Sequence, residues 1–536
     1  MTLLASAGTG GIDLPLLGVL LAVAGFLTLA HRTGLPYPIL LVVGGVALGL
    51  VPGIPDVELD PDLVLIIFLP PLLYSAAFFS SLHELRDNLR PIGLLAIGLV
   101  TFTTLVVGVV AHAVIPGLSW PAAFTLGAVL SPTDPIAATA IASRVGAPRR
   151  FVTIIEGESL INDATALTLY KVAVAATLSG SFSIWHAAGS FVLSSAAGIL
   201  IGVTVGWLLV HVRRATEDTT TEITISLLTP YFAYLPAEAL GASAVLAAVI
   251  AGIWIGWRAP GTVDPSTRLQ AFSFWETLSF MLNAALFILL GIQLPGILRT
   301  IQGDYAPGTL ALYAGVIVAT VIAVRMLWVF PANWLSRALS PRVRERDPDT
   351  HWHETFLVGF TGMRGAVSLA AALAIPATTD AGQPFPGREL IIFLVYVVIL
   401  VTLVGQGLAL PAVIRRLGIA QEHQDEGEDE ARLRAAKAAL QRIDDLAGED
   451  WVRERTAERM RRAYEFRVRR FGARLDDDED HEGLEEGSQA YQRLRREVLE
   501  AERSEIISMR EQGIINDDVM HRIERDLDLE DARLEI

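Results

Sequence analysis

The sequence predicts an all-α integral membrane protein of about thirteen transmembrane helices, arranged as inverted repeats with two crossed discontinuous helices, followed by a cytoplasmic helical tail. Three observations lead there. Across 536 residues the chain is 52% hydrophobic and 19% charged, with a mean hydropathy of +0.47. Apolar runs of helix-crossing length, roughly 20 residues, recur between turn residues. The charge is segregated: from Gln421 onward there are 34 acidic and 21 basic residues, against 24 and 21 in all that precedes. Residues 1–416 therefore read as a transmembrane domain, with repeats over roughly 14–178 and 220–413, and residues 417–536 as the charged tail.

The candidate spans lie near 14–30, 36–52, 62–80, 91–115, 121–143, 151–178, 185–211, 220–237, 241–257, 270–294, 307–333, 354–376 and 389–413. Some are short enough that one pair could be re-entrant. No basic residue precedes the first run, Leu14 to Ala30, so it reads as a retained span rather than a signal peptide. Alternate connections carry sixteen arginines, among them Arg86, Arg90, Arg149, Arg150, Arg213, Arg214, Arg415 and Arg416; the intervening ones carry only Arg299 and Arg388. Basic loops stay in the cytoplasm, which puts the N-terminus outside, the tail inside and the chain in the cell membrane with an odd number of crossings.

Two spans cannot run as unbroken helices. The fifth contains Ser131-Pro132-Thr133-Asp134-Pro135, whose prolines free backbone carbonyls around Ala128 and Ser131. The twelfth has Gly359, Gly362 and Gly365 around Arg364. Irregular backbone at that depth belongs where protein buries it or a wet cavity lies beside it. The two breaks occupy equivalent places in six-span repeats of opposite topology, an arrangement that points to a translocation site.

The tail opens with an acidic linker (Gln421 to Glu430), then a helix over 431–472 and an acidic break from Asp476 to Glu486. A helix over 488–511, a cap at Gly513 to Asp517 and a last helix to 534 complete it. It reads as a regulatory or subunit-contacting hairpin, with a merely solubilising tail as the alternative.

The sixth span carries Glu156-Gly157-Glu158-Ser159-Leu160-Ile161-Asn162-Asp163. An ionised side chain at mid-bilayer costs at least ~2.5 kcal/mol and marks an ion pathway by default. Ser159 and Asp163 are four apart on one helical face; Glu158 and Asn162 are four apart on the next, about 100° away. Brought beside the broken fifth span, Asp163 supplies a titratable carboxylate, while Asp134, the Thr133 hydroxyl or carbonyl and Ser159 add oxygens of the kind hard cations prefer. If cation and proton compete for Asp163 and only loaded forms cross, exchange follows. With Asn162 rather than a second acid beside it, charge balance gives one cation for one proton.

Glu158 requires a counter-charge, and Arg364 on the opposed break is the expected partner, with Asn162 supplying a hydrogen bond. The rival reading gives Arg364 to an anionic substrate. Lys171 follows Asp163 by eight residues and reads as a snorkelling residue or a tuner of the pathway. Glu276 and Asn283 share a face of the tenth span and read as packing partners, and Arg325 as lying near a cytoplasmic end. The absence of cysteine excludes disulfides, thiolate metal sites and thiol catalysis. The acidic balance gives no support to nucleic-acid binding, and nothing suggests an enzyme or a cofactor.

The runs Phe68-Leu69-Pro70-Pro71-Leu72-Leu73, Gly127 to Pro135, Glu156 to Asp163 and Gly362-Met363-Arg364-Gly365-Ala366-Val367-Ser368-Leu369 resemble those of sodium/proton exchangers of the cation/proton antiporter-1 family. The likeness extends to the tail, where Arg510 to Leu534 resembles the end of bacterial members. It implies a thirteen-span fold with core and dimerisation parts, a homodimer, and exchange of Na⁺ for H⁺ through Asn162 and Asp163, with Li⁺ and K⁺ as alternatives. It also implies Thr133, Asp134 and Ser159 as ligand positions and Glu158 with Arg364 as the acid–arginine pair. In one respect the sequence departs: many relatives have an acid after the third-span motif, and here Tyr74-Ser75-Ala76-Ala77 stands there, leaving Ser75 as a neutral donor. Rival functions are a potassium-preferring exchanger, a cation channel gated by the tail and a non-transporting sensor.

Overall fold

The computed structural model describes residues 24–51, 61–180, 183–259, 264–339, 352–419, 424–476 and 481–532, except positions 31, 34, 217, 302, 304 and 513. The chain divides into two compact units, Met1–Ala420 and Gln421–Ile536. Among the described residues there is no strand, only an isolated bridge between Thr378 and Pro384. Most of the expected first span lies outside the described residues; residues 24–30 of it are helical.

In the first unit the apolar runs are helices. These are α1 (Tyr37–Gly49), α2 (Pro61–Ile67), α3 (Leu69–Phe79), α4 (Leu82–Asp87), and α5 (Leu89–Gly93), which continues through a π-helical stretch into α6 (Val100–Val114). Then come α7 (Trp120–Leu130), α8 (Ile136–Val145), α9 (Arg149–Ser179), α10 (Ile184–Arg214), α11 (Thr219–Ala239) and α12 (Ala244–Arg258). After these follow α13 (Pro265–Ile292), α14 (Leu294–Ile301), α15 (Pro307–Leu339), α16 (Trp352–Phe360) and α17 (Ala366–Leu373). Finally α18 (Arg388–Leu400) passes through another π-helical stretch into α19 (Gly407–Leu417). The starts follow capping chemistry: Ser119 and Ser243 accept from the backbone N–H three residues on. Asp218 caps α11 by accepting from the N–H and hydroxyl of Thr221, both at 2.7 Å, and these bonds hold its carboxyl below the ordinary pKa.

Among the described residues, five helical segments are long and apolar enough to cross a membrane: Leu89–Val114, Ala188–Arg214, Thr267–Ile301, Pro307–Leu335 and Arg388–Leu417. At 31 residues α9 is also long enough, about 46 Å at 1.5 Å per residue, but it carries four charged residues in its middle. The two charged residues nearest its centre are withdrawn from the surface, Glu158 at 1% exposed and Asp163 at 5%, as is the amide of Asn162 at 0%. Helices approach closely where side chains are absent. A Cβ on Gly291 of α13 would meet the Val42 carbonyl of α1 at 2.3 Å, so that pair packs backbone to backbone.

The interruptions fall where proline and glycine place them. α7 stops at Leu130 and α8 resumes at Ile136; α16 stops at Phe360 and α17 resumes at Ala366. The two breaks cross. In an unbroken helix the Asp134 N–H would donate to the Leu130 carbonyl. It donates instead to the Met363 carbonyl at 2.9 Å, and the Leu130 carbonyl accepts from Arg364 Nε at 3.0 Å. The Ala128 carbonyl, freed because Pro132 has no N–H, accepts from Ser131 Oγ at 2.8 Å.

The second unit is built from α20 (Gln424–Leu446), α21 (Glu454–Asp476), α22 (His481–Glu511) and α23 (Asp517–Ala532). The helix expected over 431–472 is thus two, divided by turns around Gly448 and closed on each other by Arg461–Asp444 at 2.5 Å and Arg474–Asp429 at 3.2 Å. The expected acidic linker is helical from Gln424. Arg503 binds Asp528 and Asp531 at 2.8 and 3.2 Å, which pins α23 against α22 over the buried Leu499 and Leu527.

Candidate ion-binding site

The two faces of α9 do different work. Ser159 and Asp163 line a cavity of about 780 Å³ that also receives Asp134 and Thr133 from the first break, Gly365 from the second and Ser75 from α3. Asp163 is 5% exposed and makes no hydrogen bond or ion pair with any described residue. Asp134 is anchored beside it, Oδ1 accepting from the Ile136 N–H at 2.9 Å at the start of α8. Position 365 has to be glycine, because a Cβ there would lie 1.8 Å from Asp134 Oδ2. Ser75 Oγ donates to the Leu72 carbonyl at 3.0 Å and accepts from Ser279 Oγ at 2.9 Å.

The other face is tied up in hydrogen bonds, apart from Asn162 Oδ1, which is buried without a partner. Glu158 is gripped by Arg325 of α15 through two bonds, Nη1 to Oε1 at 2.5 Å and Nη2 to Oε2 at 2.9 Å, with both side chains 1% exposed. Arg325 Nε also donates to the Val358 carbonyl at 3.1 Å, and Thr133 Oγ1 donates to Glu158 Oε1 at 2.9 Å. Asn162 Nδ2 in turn donates to Thr133 Oγ1 at 2.9 Å and toward its carbonyl at 3.4 Å.

This corrects the expected pairing of Glu158 with Arg364, for those two side chains make no ion pair. Arg364 is committed to the breaks, its guanidinium bonding the Leu130 and Gly362 carbonyls while its N–H meets Thr402 Oγ1. An arginine at the crossing point satisfies carbonyls that the interrupted helices cannot, and Arg325, on an unbroken helix, is left for the acid. Asn162 likewise reaches Glu158 only through Thr133. The Thr133 hydroxyl, expected as a ligand oxygen, already links the pair to the amide and has one lone pair to spare.

Sequence reasoning missed Arg325. The signal was there: a lone arginine inside the 307–333 run needs a buried carboxylate somewhere. Glu276 and Asn283 are also not partners of each other; both line the cavity of Asp163. Lys171 lies elsewhere, bonded to Glu238 of α11 at 3.1 Å beside a second cavity of about 670 Å³. No cluster of three or more His, Cys, Asp or Glu side chains forms among the described residues. The donors at the breaks are two carboxylates with hydroxyl neighbours, a set suited to a hard cation.

A helical membrane protein whose broken helices cross beside a bare buried carboxylate belongs to the class of secondary transporters. Within that class the chain belongs to the sodium/hydrogen exchanger family, whose transmembrane profile matches residues 18–416. An uncharacterized Na(+)/H(+) exchanger of Mycobacterium bovis is 38% identical over 513 residues, 94% of this chain and 93% of that protein. A sodium, potassium, lithium and rubidium/H(+) antiporter of Bacillus subtilis is 35% identical over 425 residues, 76% of this chain and 62% of that protein. Among solved structures, the sodium proton antiporter of Methanocaldococcus jannaschii at pH 8 superposes with a TM-score of 0.59 at 18% identity, covering 76% of this chain and 99% of that one, a likeness of fold. The protein is a multi-pass membrane transporter of the cation/proton antiport type.

Proposed function

We propose that the chain exchanges Na⁺ for H⁺ one for one and without net charge movement, by alternating access, with cation and proton competing for Asp163. The observation that carries this is the contrast between Asp163's burial and its lack of any partner among the described residues, at a cavity shared with Ser159 and Asp134. A buried carboxylate without counter-charge must take a proton or a cation. One such group exchanging one for the other moves no net charge. In this reading Ser159, Asp134, Ser75 and the oxygens of Thr133 complete the cation's shell, Asn162 holds Thr133 in place, and Glu158 with Arg325 braces the crossing.

The accompanying topology is thirteen crossings in inverted repeats, a homodimer in the cell membrane, the N-terminus outside, and a cytoplasmic tail from residue 417 that tunes pH response or assembly. A broader monovalent-cation exchanger is the second reading. Its support is the neutral Ser75 at the cavity wall, together with the four cations printed in the name of the Bacillus subtilis relative.

Purified protein in vesicles, driven by Na⁺, Li⁺ or K⁺ gradients with the voltage clamped, tests this. Asp163→Asn is expected to abolish pH-dependent cation flux while the protein remains folded. Retained flux in that variant overturns the assignment, and a rate that follows voltage overturns the stoichiometry.

A further inference from the structure

The cavity has a second wall whose polar groups the exchange reaction described above leaves unused. Glu276, Ser279 and Asn283 stand at i, i+3 and i+7 on α13, one face of a helix, and all three line the cavity that holds Asp163. Counted from the arginine-flanked starts of α9 and α13 at about 1.5 Å per residue, Ser279 and Asp163 lie at the same depth, about 21 Å along. Glu276 is then one turn nearer that end and Asn283 one turn beyond. Ser279 is fixed by its 2.9 Å bond to Ser75.

Two features show that the wall is built for a ligand rather than for packing. Asn283 is 8% exposed, and its Oδ1 has no hydrogen-bond partner, although it borders the cavity. Buried amide oxygens are nearly always satisfied, so one bordering a largely apolar cavity that also holds carboxylates calls for a donor or a cation. Glu276 lines the cavity but is itself exposed; it is a carboxylate within a membrane-length apolar helix, and no described residue forms an ion pair with it. Ser368 Oγ of α17 also lines the cavity and, like Asn283 Oδ1, is buried and unpartnered, at 1% exposed.

We infer that Glu276, with Ser279 and Asn283, forms a second subsite for a monovalent cation, on the wall facing Asp163. This rests on the reading of Asp163 as the exchange site. The subsite receives the cation from the cavity mouth and holds it, still partly hydrated, until the Asp163 proton leaves. Glu276 supplies the charge that draws the ion in; the Ser279 hydroxyl, at the level of Asp163, and the Asn283 carbonyl, one turn beyond, replace water. Both walls then contribute oxygens to the ion, and a fully loaded site joins α13 to α9.

The test is steady-state exchange in vesicles by Glu276→Gln and Glu276→Asp, with Na⁺ varied against choline at constant ionic strength. The glutamine variant is expected to lose about tenfold in kcat/KM, carried by KM, the equivalent of ~1.4 kcal/mol of cation binding. The aspartate variant, which keeps the charge, retains most of the affinity. An unchanged KM in Glu276→Gln, or a loss carried by the maximal rate alone, overturns the subsite. Direct binding gives a second reading. In an Asp163→Asn background NaCl still raises the thermal unfolding midpoint relative to choline chloride, and adding Glu276→Gln removes that protection. If Asp163→Asn alone removes all protection, the subsite is overturned while the role of Asp163 stands. If Asp163→Asn still exchanges, both fall.

Discussion

Glu158 and Asp163 stand five residues apart on α9 and are held in opposite ways. Glu158 accepts two bonds from Arg325 and one from Thr133 and is sealed from solvent. Asp163 is nearly as buried, borders a cavity and bonds to no described residue. The comparison teaches that burial of an acid in a membrane helix does not reveal its role; the state of its hydrogen-bonding capacity does. A carboxylate held by an arginine and a hydroxyl has no place for an ion and braces the fold. A bare one must find a proton or an ion, and so can trade them.

The contrast breaks most visibly on the saturated side. Removing one member of a buried pair costs ~3–5 kcal/mol because the other charge is left uncompensated. Glu158→Gln or Arg325→Met is expected to reduce folded yield and lower the thermal midpoint in detergent. The double variant Glu158→Leu with Arg325→Met recovers much of that loss, since an apolar replacement of the whole pair removes the desolvation penalty. Additive losses would show that the two side chains are not coupled.

A smaller effect sharpens the comparison. Thr133→Ala deletes a hydrogen bond to a charged group and is expected to cost ~2 kcal/mol of stability. Because Asn162 then loses its closer acceptor and keeps only the Thr133 carbonyl, the variant should also lower cation affinity in the vesicle assay. A midpoint and a KM both equal to wild type would remove Thr133 from the network.

Much of this was legible in the chain. Pro132 and Pro135 cannot donate, and the glycines around Arg364 permit a close crossing, so both breaks could be placed from residue types alone. The i, i+4 spacing separated Ser159 and Asp163 from Glu158 and Asn162 before any coordinates. What sequence could not supply was the identity of neighbours across helices. The sequence points to Arg364 as the partner of Glu158 and places Arg325 near a cytoplasmic end, whereas the pairing depends on which guanidinium the broken backbone claims. The Gly362 carbonyl is local to Arg364, but the Leu130 carbonyl lies within its reach only once the breaks are laid across each other. Glu276 and Asn283 were legible as one helical face, but whether that face met protein or a cavity was settled by packing at a distance. In the tail, an Arg/Glu-rich stretch concealed a turn at Gly448 that helical propensity alone does not reveal.

The most direct test of the central claim is proton release by the detergent-solubilised protein in weak buffer when NaCl is added, with choline chloride as the control. A carboxylate shared by the two ions predicts Na⁺-dependent proton release from the wild type, approaching one proton per protein at saturating NaCl, and no release from Asp163→Asn. No proton release from the wild type at saturating NaCl, or undiminished release in Asp163→Asn, would contradict it.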